Sequence, residues 1–246
     1  MELKIMTFNI RHGKGMDKNH NLQRISQVLK NSKADIIGLN EVDKEFSKRS
    51  EFVDQAEWIA KDLNMGYVFG PSITRRGKKE GDIRQYGSAI LTRFPIITSD
   101  NYPFDFLPRI VEDRSLLKVI VEIEKREVAI YITHLSFAPF LHSKQTEFIL
   151  ERVTQDVKPS VIMGDWNMKP YSSSWKLVTE QLKDTWEEQQ GNGGSGYTFP
   201  SRRPRMKLDY IFMNDFFEVL EAKVVETNSK ASDHLPLSTT LRLLHN

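Results

Sequence analysis

Val161-Ile162-Met163-Gly164-Asp165-Trp166-Asn167 is the stretch on which the reading of the fold turns. An apolar run climbs to a glycine, and two polar side chains then stand on either side of a tryptophan. Pro159 marks the entry and Pro170 the exit. A short apolar run bounded in this way reads as a buried strand. Asp165 and Asn167 then sit at its carboxyl end, where open α/β sheets place ligands. If the chain stays extended, the two-residue period puts both on one side. A carboxylate there can accept a proton or hold a water, and a carboxamide can donate to a developing negative oxygen. The plainer alternative is an Asp that only caps the following turn.

Working outward, the same pattern recurs. Leu3 to Ile10 alternates as a strand and ends in the polar cluster Asn9, Arg11, His12 and Gly13. Asn9 taken alone reads as a turn residue. Leu22, Ile25, Val28 and Leu29 recur at helical spacing and predict an amphipathic helix over 21–32. Ala34 to Val42 is a second buried strand, and it delivers Glu41 at its end. Burying that carboxylate without a partner is costly, so a metal or another cation is expected to meet it, unless Glu41 is simply solvated. A further helix carries Phe52, Ala56, Ile59, Ala60 and Leu63 on one face, and Tyr67 to Gly70 reads as a short strand. Arg75 to Asp82 is a basic loop, solvated or lining a phosphate-binding mouth. Tyr86 to Leu91 and Phe94 to Ile97 read as paired strands turning at Thr92-Arg93. Ser115 to Glu124 and Glu127 to Thr133 alternate strongly and predict a hairpin across Lys125-Arg126. It runs out into Thr133-His134-Leu135. A helix is predicted over 143–157, another over 173–182, and a flexible loop at the glycine-rich segment 189–196.

Near the end of the chain, Tyr197 to Lys207 interleaves basic and aromatic residues, suited to an anionic ligand. Asp209 lies inside the apolar run Leu208 to Met213 and so needs a His or Arg partner. A strand over 216–227, the pair Asp233-His234 and a last strand through Leu243 complete the chain. Bulk properties bound the rest. The 246 residues fit one α/β domain over 1–246, and 39% hydrophobic content supplies a sizeable core. A net charge of +2 is too weak to argue for nucleic acid by itself. The absence of cysteine excludes disulfides, thiolate metal sites and cysteine nucleophiles. The N-terminus has no signal-peptide pattern and no window has transmembrane length, so a cytoplasmic, monomeric protein without membrane insertion is expected.

Taken together, six short motifs resemble the endonuclease/exonuclease/phosphatase superfamily, with its deoxyribonuclease-I-like fold. They are Thr7-Phe8-Asn9-Ile10, Leu39-Asn40-Glu41-Val42, Thr133-His134-Leu135, Gly164-Asp165-Trp166-Asn167, Leu208 to Phe212 and Ser232 to Pro236. The resemblance implies a four-layer α/β-β/α sandwich of two packed mixed β-sheets with helices outside. It also implies roles. Asn9, Glu41 and Asp233 form the metal side, with Glu41 the direct ligand of Mg²⁺ or Mn²⁺. Asp165 orients or deprotonates the attacking water, Asn167 and His134 donate to phosphoryl oxygens, and His234 is oriented by Asp209. Trp166 stands where many members carry Phe. Arg114, Arg205, Lys207 and Trp166 are the substrate-binding candidates, with Arg109 a weaker one. The implied activity is metal-dependent hydrolysis of a phosphodiester. Left open are a nuclease acting on DNA or RNA, a phosphomonoesterase, a phospholipid-type hydrolase and, in a different class, a non-catalytic binding module.

Overall fold

The computed structural model describes residues 1–77, 80–105, 113–155, 157–189 and 194–244. In chain order its elements are β1 (Glu2–Asn9), α1 (Leu22–Ser32), β2 (Ile36–Lys44), α2 (Gln55–Leu63), β3 (Gly66–Arg76), β4 (Ile83–Thr92), β5 (Ile96–Pro103), β6 (Ser115–Ile123), β7 (Arg126–His134), α3 (Pro139–Val153), β8 (Ser160–Asp165), α4 (Ser173–Thr179), β9 (Lys183–Asp184), α5 (Thr185–Glu188), β10 (Asp209–Met213), β11 (Phe217–Val224) and β12 (Leu237–Leu243). They form two six-stranded sheets, in the orders β11-β12-β1-β2-β4-β3 and β5-β6-β7-β8-β10-β9. Each sheet is antiparallel except for one parallel pair: β1 with β2 in the first, β7 with β8 in the second. Each parallel pair is joined across a helix, as a parallel connection requires. Among the described residues, no helix is long and apolar enough to cross a membrane.

Side-chain alternation builds the layers. Leu3, Ile5, Ile130, Ile132, Val161, Met163, Ile211 and Met213 meet in the core between the sheets. The intervening residues turn outward. Met6 and Phe8 pack under α1 and α2, while Tyr131, Ile162, Tyr210 and Phe212 pack under α3 and α4. The four-layer sandwich expected from the motifs is therefore the architecture observed. Carried on by two, the inward rows run into Asn9, Asn40, His134, Asp165 and Asp209, all at one end of the sandwich. Register confirms this: Asn9 lies opposite Asn40, His134 opposite Asp165, and Asp165 opposite Asp209.

The sheets are stitched together at that end by Asn40. Its Nδ2 donates to the Thr133 carbonyl at 3.0 Å and to Ser88 Oγ at 2.9 Å, and its Oδ1 accepts from the Asp165 backbone N–H at 2.9 Å. Close approach is also needed at Gly164, whose φ is 136° and where a Cβ would come within 2.0 Å of the Thr133 carbonyl oxygen.

Local readings differ from the structure in a few places. Tyr86 to Leu91 and Phe94 to Ile97 do not pair: β4 is bonded on both edges, to β2 and β3, so the chain crosses after Pro95 and β5 joins β6 in the other sheet. Phe52 is exposed at φ 55° in the turn before α2, off the helix face assigned to it. The hairpin between β6 and β7 turns at Glu124-Lys125, one residue earlier than read. Both residues have positive φ, as a two-residue turn matched to strand twist requires. The helix expected over 143–157 starts earlier, with Pro139 in its first turn, and ends at Val153. Lys78 and Lys79 of the basic loop, Arg109, and residues 190–193 of the glycine-rich segment lie outside the described residues.

Replacing Asn40 with alanine leaves a buried N–H and a carbonyl unpaired, and should lower unfolding stability by about 3 kcal/mol. Urea denaturation followed by circular dichroism measures this.

Candidate active site

The inward polar row opens into a cavity of about 700 Å³ lined by Glu41, Arg114, His134, Asp165, Asp233 and His234 at one end and by Phe46, Arg49, Arg75 and Tyr86 among others. At its floor, Asp165 Oδ2 is the point of convergence. Asn9 Nδ2 donates to it at 3.0 Å, His134 Nε2 lies 3.5 Å away and His234 Nε2 3.6 Å away. The same Asn9 Nδ2 donates to Glu41 Oε1 at 3.0 Å, so one amide ties the two carboxylates together. Glu41 reaches the cavity through a bulge: Asn40 and Glu41 on β2 face one residue of β4, and Glu41 sits at φ 57°. A non-glycine residue held there is strained, and the bulge re-aims its side chain.

The two histidines have opposite electrostatics. His134 Nδ1 lies 2.8 Å from Arg114 Nη1, and both side chains are buried. A guanidinium only donates, so Nδ1 must accept and the proton sits on Nε2, facing Asp165. Burial, Arg114 and His234 all push the His134 pKa well down, keeping the ring neutral. His234 Nδ1 instead donates to Asp209 Oδ2 at 2.8 Å. Burial works against its charge, but Asp209 and Asp165 outweigh that and push its pKa up to about 10. For Asp165, burial, Asp209 and Glu41 raise the pKa, opposed by His234 and the Asn9 bond. A carboxyl lifted towards neutrality is a better proton acceptor than a free aspartate.

A divalent cation in this cavity would have to draw on its carboxylates and imidazoles. Asp165, Asp209 and His234 offer ligand atoms all within 4.8 Å of one another. That trio suits a metal poorly, because His234 is held protonated by Asp209. Glu41 suits one well. Its carboxylate faces the cavity, burial and Asp233 raise its pKa, and the amide of Asn9 is its nearest donor, with His12 Nδ1 at 3.8 Å. Burial and Arg49 push the His12 pKa down to about 4, so it brings no compensating charge. Hard oxygen donors short of positive charge fit Mg²⁺-like ions. Asn9 Oδ1 meanwhile accepts from the Arg11 backbone N–H at 3.0 Å, and Asp233 pairs with Arg11 Nε at 3.2 Å.

The profile of the endonuclease/exonuclease/phosphatase family matches residues 6–234. The chain belongs to that family. Its members are hydrolases acting on phosphoesters, generally with divalent metals. An endonuclease/exonuclease/phosphatase from Beutenbergia cavernae superposes with a TM-score of 0.84 at 26% identity, covering 98% of this chain and 72% of that one. A mannosyl-6-phosphatase from Bacteroides thetaiotaomicron gives 0.75 at 18% identity, over 98% of this chain and 100% of that one. The human Nocturnin catalytic domain with bound sulfate gives 0.72 at 19%, over 99% and 95%. No curated protein matches the chain.

As a member of this family, the chain departs from several residue assignments made above. Trp166 is fully buried and meets Phe212 edge-on at 5.1 Å. It follows inward-facing Asp165 in the alternation, so it points under α3 and α4 and cannot touch substrate. Lys207 is buried too, its Nζ 2.5 Å from Asp184 Oδ2 and 4.0 Å over the Tyr210 ring. It holds the floor under β10, away from the cavity. Arg205 is exposed and does not line the cavity. Asn167 does not stay extended: at φ 48° it turns aside, donates through Nδ2 to the Leu135 carbonyl at 2.8 Å, and lines a neighbouring pocket with His142 and Phe137. Arg114 does line the cavity. Sequence reading missed Asn40, although it sits inside a quoted motif, and gave no part to Phe46, Arg49 or Tyr86, which carry no motif of their own; Phe199, from the basic and aromatic stretch Tyr197 to Lys207, does line the cavity.

Two outcomes follow from this geometry. Lys207→Met strands the buried Asp184 carboxylate and should cost about 3–5 kcal/mol in chemical denaturation, largely recovered by adding Asp184→Asn. In metal-free buffer, the His234 ring should stay protonated through neutral pH. Its folded pKa is raised, so its contribution to stability is complete below the ordinary histidine value of about 6.5 and is lost as pH rises through about 10. Ring-proton NMR of wild type and Asp209→Asn checks this: the variant should titrate closer to an ordinary histidine.

Proposed function

We propose that this chain is a divalent-metal-dependent phosphoesterase that hydrolyses a phosphodiester by attack of a water activated at Asp165. The observation that carries this reading is the convergence of Asn9, His134 and His234 on Asp165 Oδ2 at the floor of the cavity, with Glu41 tied to the same amide.

Each group has a task suited to its state. Asp165 accepts a proton from the attacking water and orients it. His134, neutral and carrying its proton on Nε2, donates one hydrogen bond to a phosphoryl oxygen. His234, held as an imidazolium by Asp209, stabilises the charge that builds on the phosphorus-bound oxygens. Arg114 fixes the His134 tautomer and adds positive charge beside the phosphoryl position. Glu41, with Asp233 beside it, would hold Mg²⁺ or Mn²⁺. Bound there, such an ion would supply positive charge to offset the negative charge that builds on the phosphoryl group. Asn9 keeps Glu41 and Asp165 apart and oriented, so two carboxylates can serve one site without merging into a single proton-sharing pair.

The expected partner is a phosphoester substrate, with a nucleic-acid backbone and a smaller phosphodiester both compatible with the cavity. The test is hydrolysis of bis-p-nitrophenyl phosphate beside p-nitrophenyl phosphate, plasmid DNA and single-stranded RNA, with Mg²⁺ or Mn²⁺. Asp165→Asn and His234→Asn should each lower kcat by about 10²–10⁴ while the fold is kept. Glu41→Gln should shift the metal titration to higher concentration. Activity confined to the monoester would replace the diesterase reading with a monoesterase one. Near-wild-type turnover in Asp165→Asn would remove the assigned base.

A further inference from the structure

The cavity wall beyond the phosphoryl position is unusual in its charge. Arg49 and Arg75 both lie over the Phe46 ring, at 4.9 and 5.2 Å from its centroid. Arg49 also lies 5.5 Å over Tyr86, and the Phe46 and Tyr86 rings are 5.8 Å apart. All four residues line the same cavity as Glu41, His134, Asp165 and His234. Two guanidiniums gathered on one ring repel each other, and among the described residues the one carboxylate bonded to them is Asp43.

That carboxylate is fully buried. It accepts from Arg49 Nε at 2.9 Å, from Arg49 Nη2 at 2.6 Å and from Ser50 Oγ at 2.6 Å. Such a clamp pins one edge of the Arg49 guanidinium and, among the described residues, leaves Nη1 without a hydrogen-bond partner. Among the described residues, Arg75 makes no ion pair and no side-chain hydrogen bond, and its guanidinium rests on the Phe46 ring. The wall therefore presents one more positive charge than it neutralises, on planar groups already oriented by aromatic packing. The rings are themselves occupied as platforms for the arginines, so stacking of a nucleobase is not what this wall offers. Its chemistry is that of a second anion site.

We infer that Arg49 and Arg75, carried on Phe46 and anchored by Asp43, form a subsite for a second phosphate group of the substrate, set apart from the one that is hydrolysed. The inference rests on the phosphoesterase reading and narrows it: the preferred substrate is bisphosphorylated. The second phosphate comes either from a nucleotide or from a sugar, and the chemistry of the wall is the same for both.

The experiment uses matched pairs assayed with Mn²⁺. One is thymidine 5′-(p-nitrophenyl phosphate) with and without a 3′-phosphate. The other is glucose 1,6-bisphosphate beside glucose 6-phosphate. In wild type the second phosphate should raise kcat/KM by about tenfold or more in one pair, mainly through KM, and the pair that responds identifies the source. Arg75→Gln and Arg49→Gln should each cut that gain to about threefold or less. General damage to the fold would lower both members of a pair and leave their ratio intact, which makes the ratio the readout. A gain absent from both pairs, or one that survives both substitutions, overturns the subsite. Calorimetry on Asp165→Asn with both members of each pair, with and without Arg75→Gln, separates the two readings. Absence of turnover on every substrate would defeat hydrolysis alone. Equal affinities within both pairs, or a difference indifferent to Arg75, would defeat the subsite.

Discussion

The carboxylate of Asp165 is buried between two sheets, and much of this end of the molecule is arranged around keeping it there. A lone buried carboxylate is expensive, and in isolation it would protonate. Here Asn9 donates to it from one sheet and Asn40 holds its backbone from the same sheet, while His134 faces it from the end of β7 in the other sheet and His234 from the loop that leads into β12. Its pKa is raised by burial without being left to drift, because the imidazolium of His234 pulls in the opposite direction. The site depends on that balance. A stronger cation beside Asp165 would make it a poor base, and a drier pocket would leave it protonated.

Asn40 shows how architecture and chemistry share one contact. The sandwich is held at its centre by non-directional apolar packing, which tolerates small slides of one sheet over the other. At the functional end, such a slide would separate Asn9 and Glu41 from His134, Asp165 and Asp209. The directional bonds of Asn40 to Thr133 and Asp165 pin the registration of the sheets where it matters. The bulge that carries Glu41 in the left-handed region works beside it. It gives up regular strand geometry to bring a carboxylate into the cavity.

The neighbouring cavity wall extends the same logic. Charges near the reacting position are set by buried partners rather than by solvent: Asp209 for His234, Arg114 for His134, Asp43 for Arg49. Each partner determines what the group it touches can do, Asp209 and Asp43 from full burial behind the cavity and Arg114 from its wall. Asp184 and Lys207 are a pair of similar construction used for structure alone, which is why a basic residue in a promising segment proved to belong to the core.

Periodicity and punctuation made the strands legible, because a two-residue alternation of buried and polar positions is a local property of the chain. The polar residues at strand ends were legible for the same reason: Asn9, Glu41, His134, Asp165 and Asp209 each interrupt or terminate an apolar run, and His234 stands just before one. Strand pairing was less so. Nothing local in Thr92 to Pro95 says that both edges of β4 are taken by partners from elsewhere in the sequence. Side-chain direction just past a strand end was also hidden. Trp166 and Asn167 flank or follow Asp165 in the chain, but alternation sends one under the helices and a left-handed turn sends the other into a separate pocket. Lys207 could be told from a surface base only by knowing that Asp184 is folded against it. Which polar residues stand at the strand ends was thus largely written in the local pattern. Which residues face them, hold their protons and shape the rest of the cavity depended on contacts between distant segments, and only the packed structure decides those.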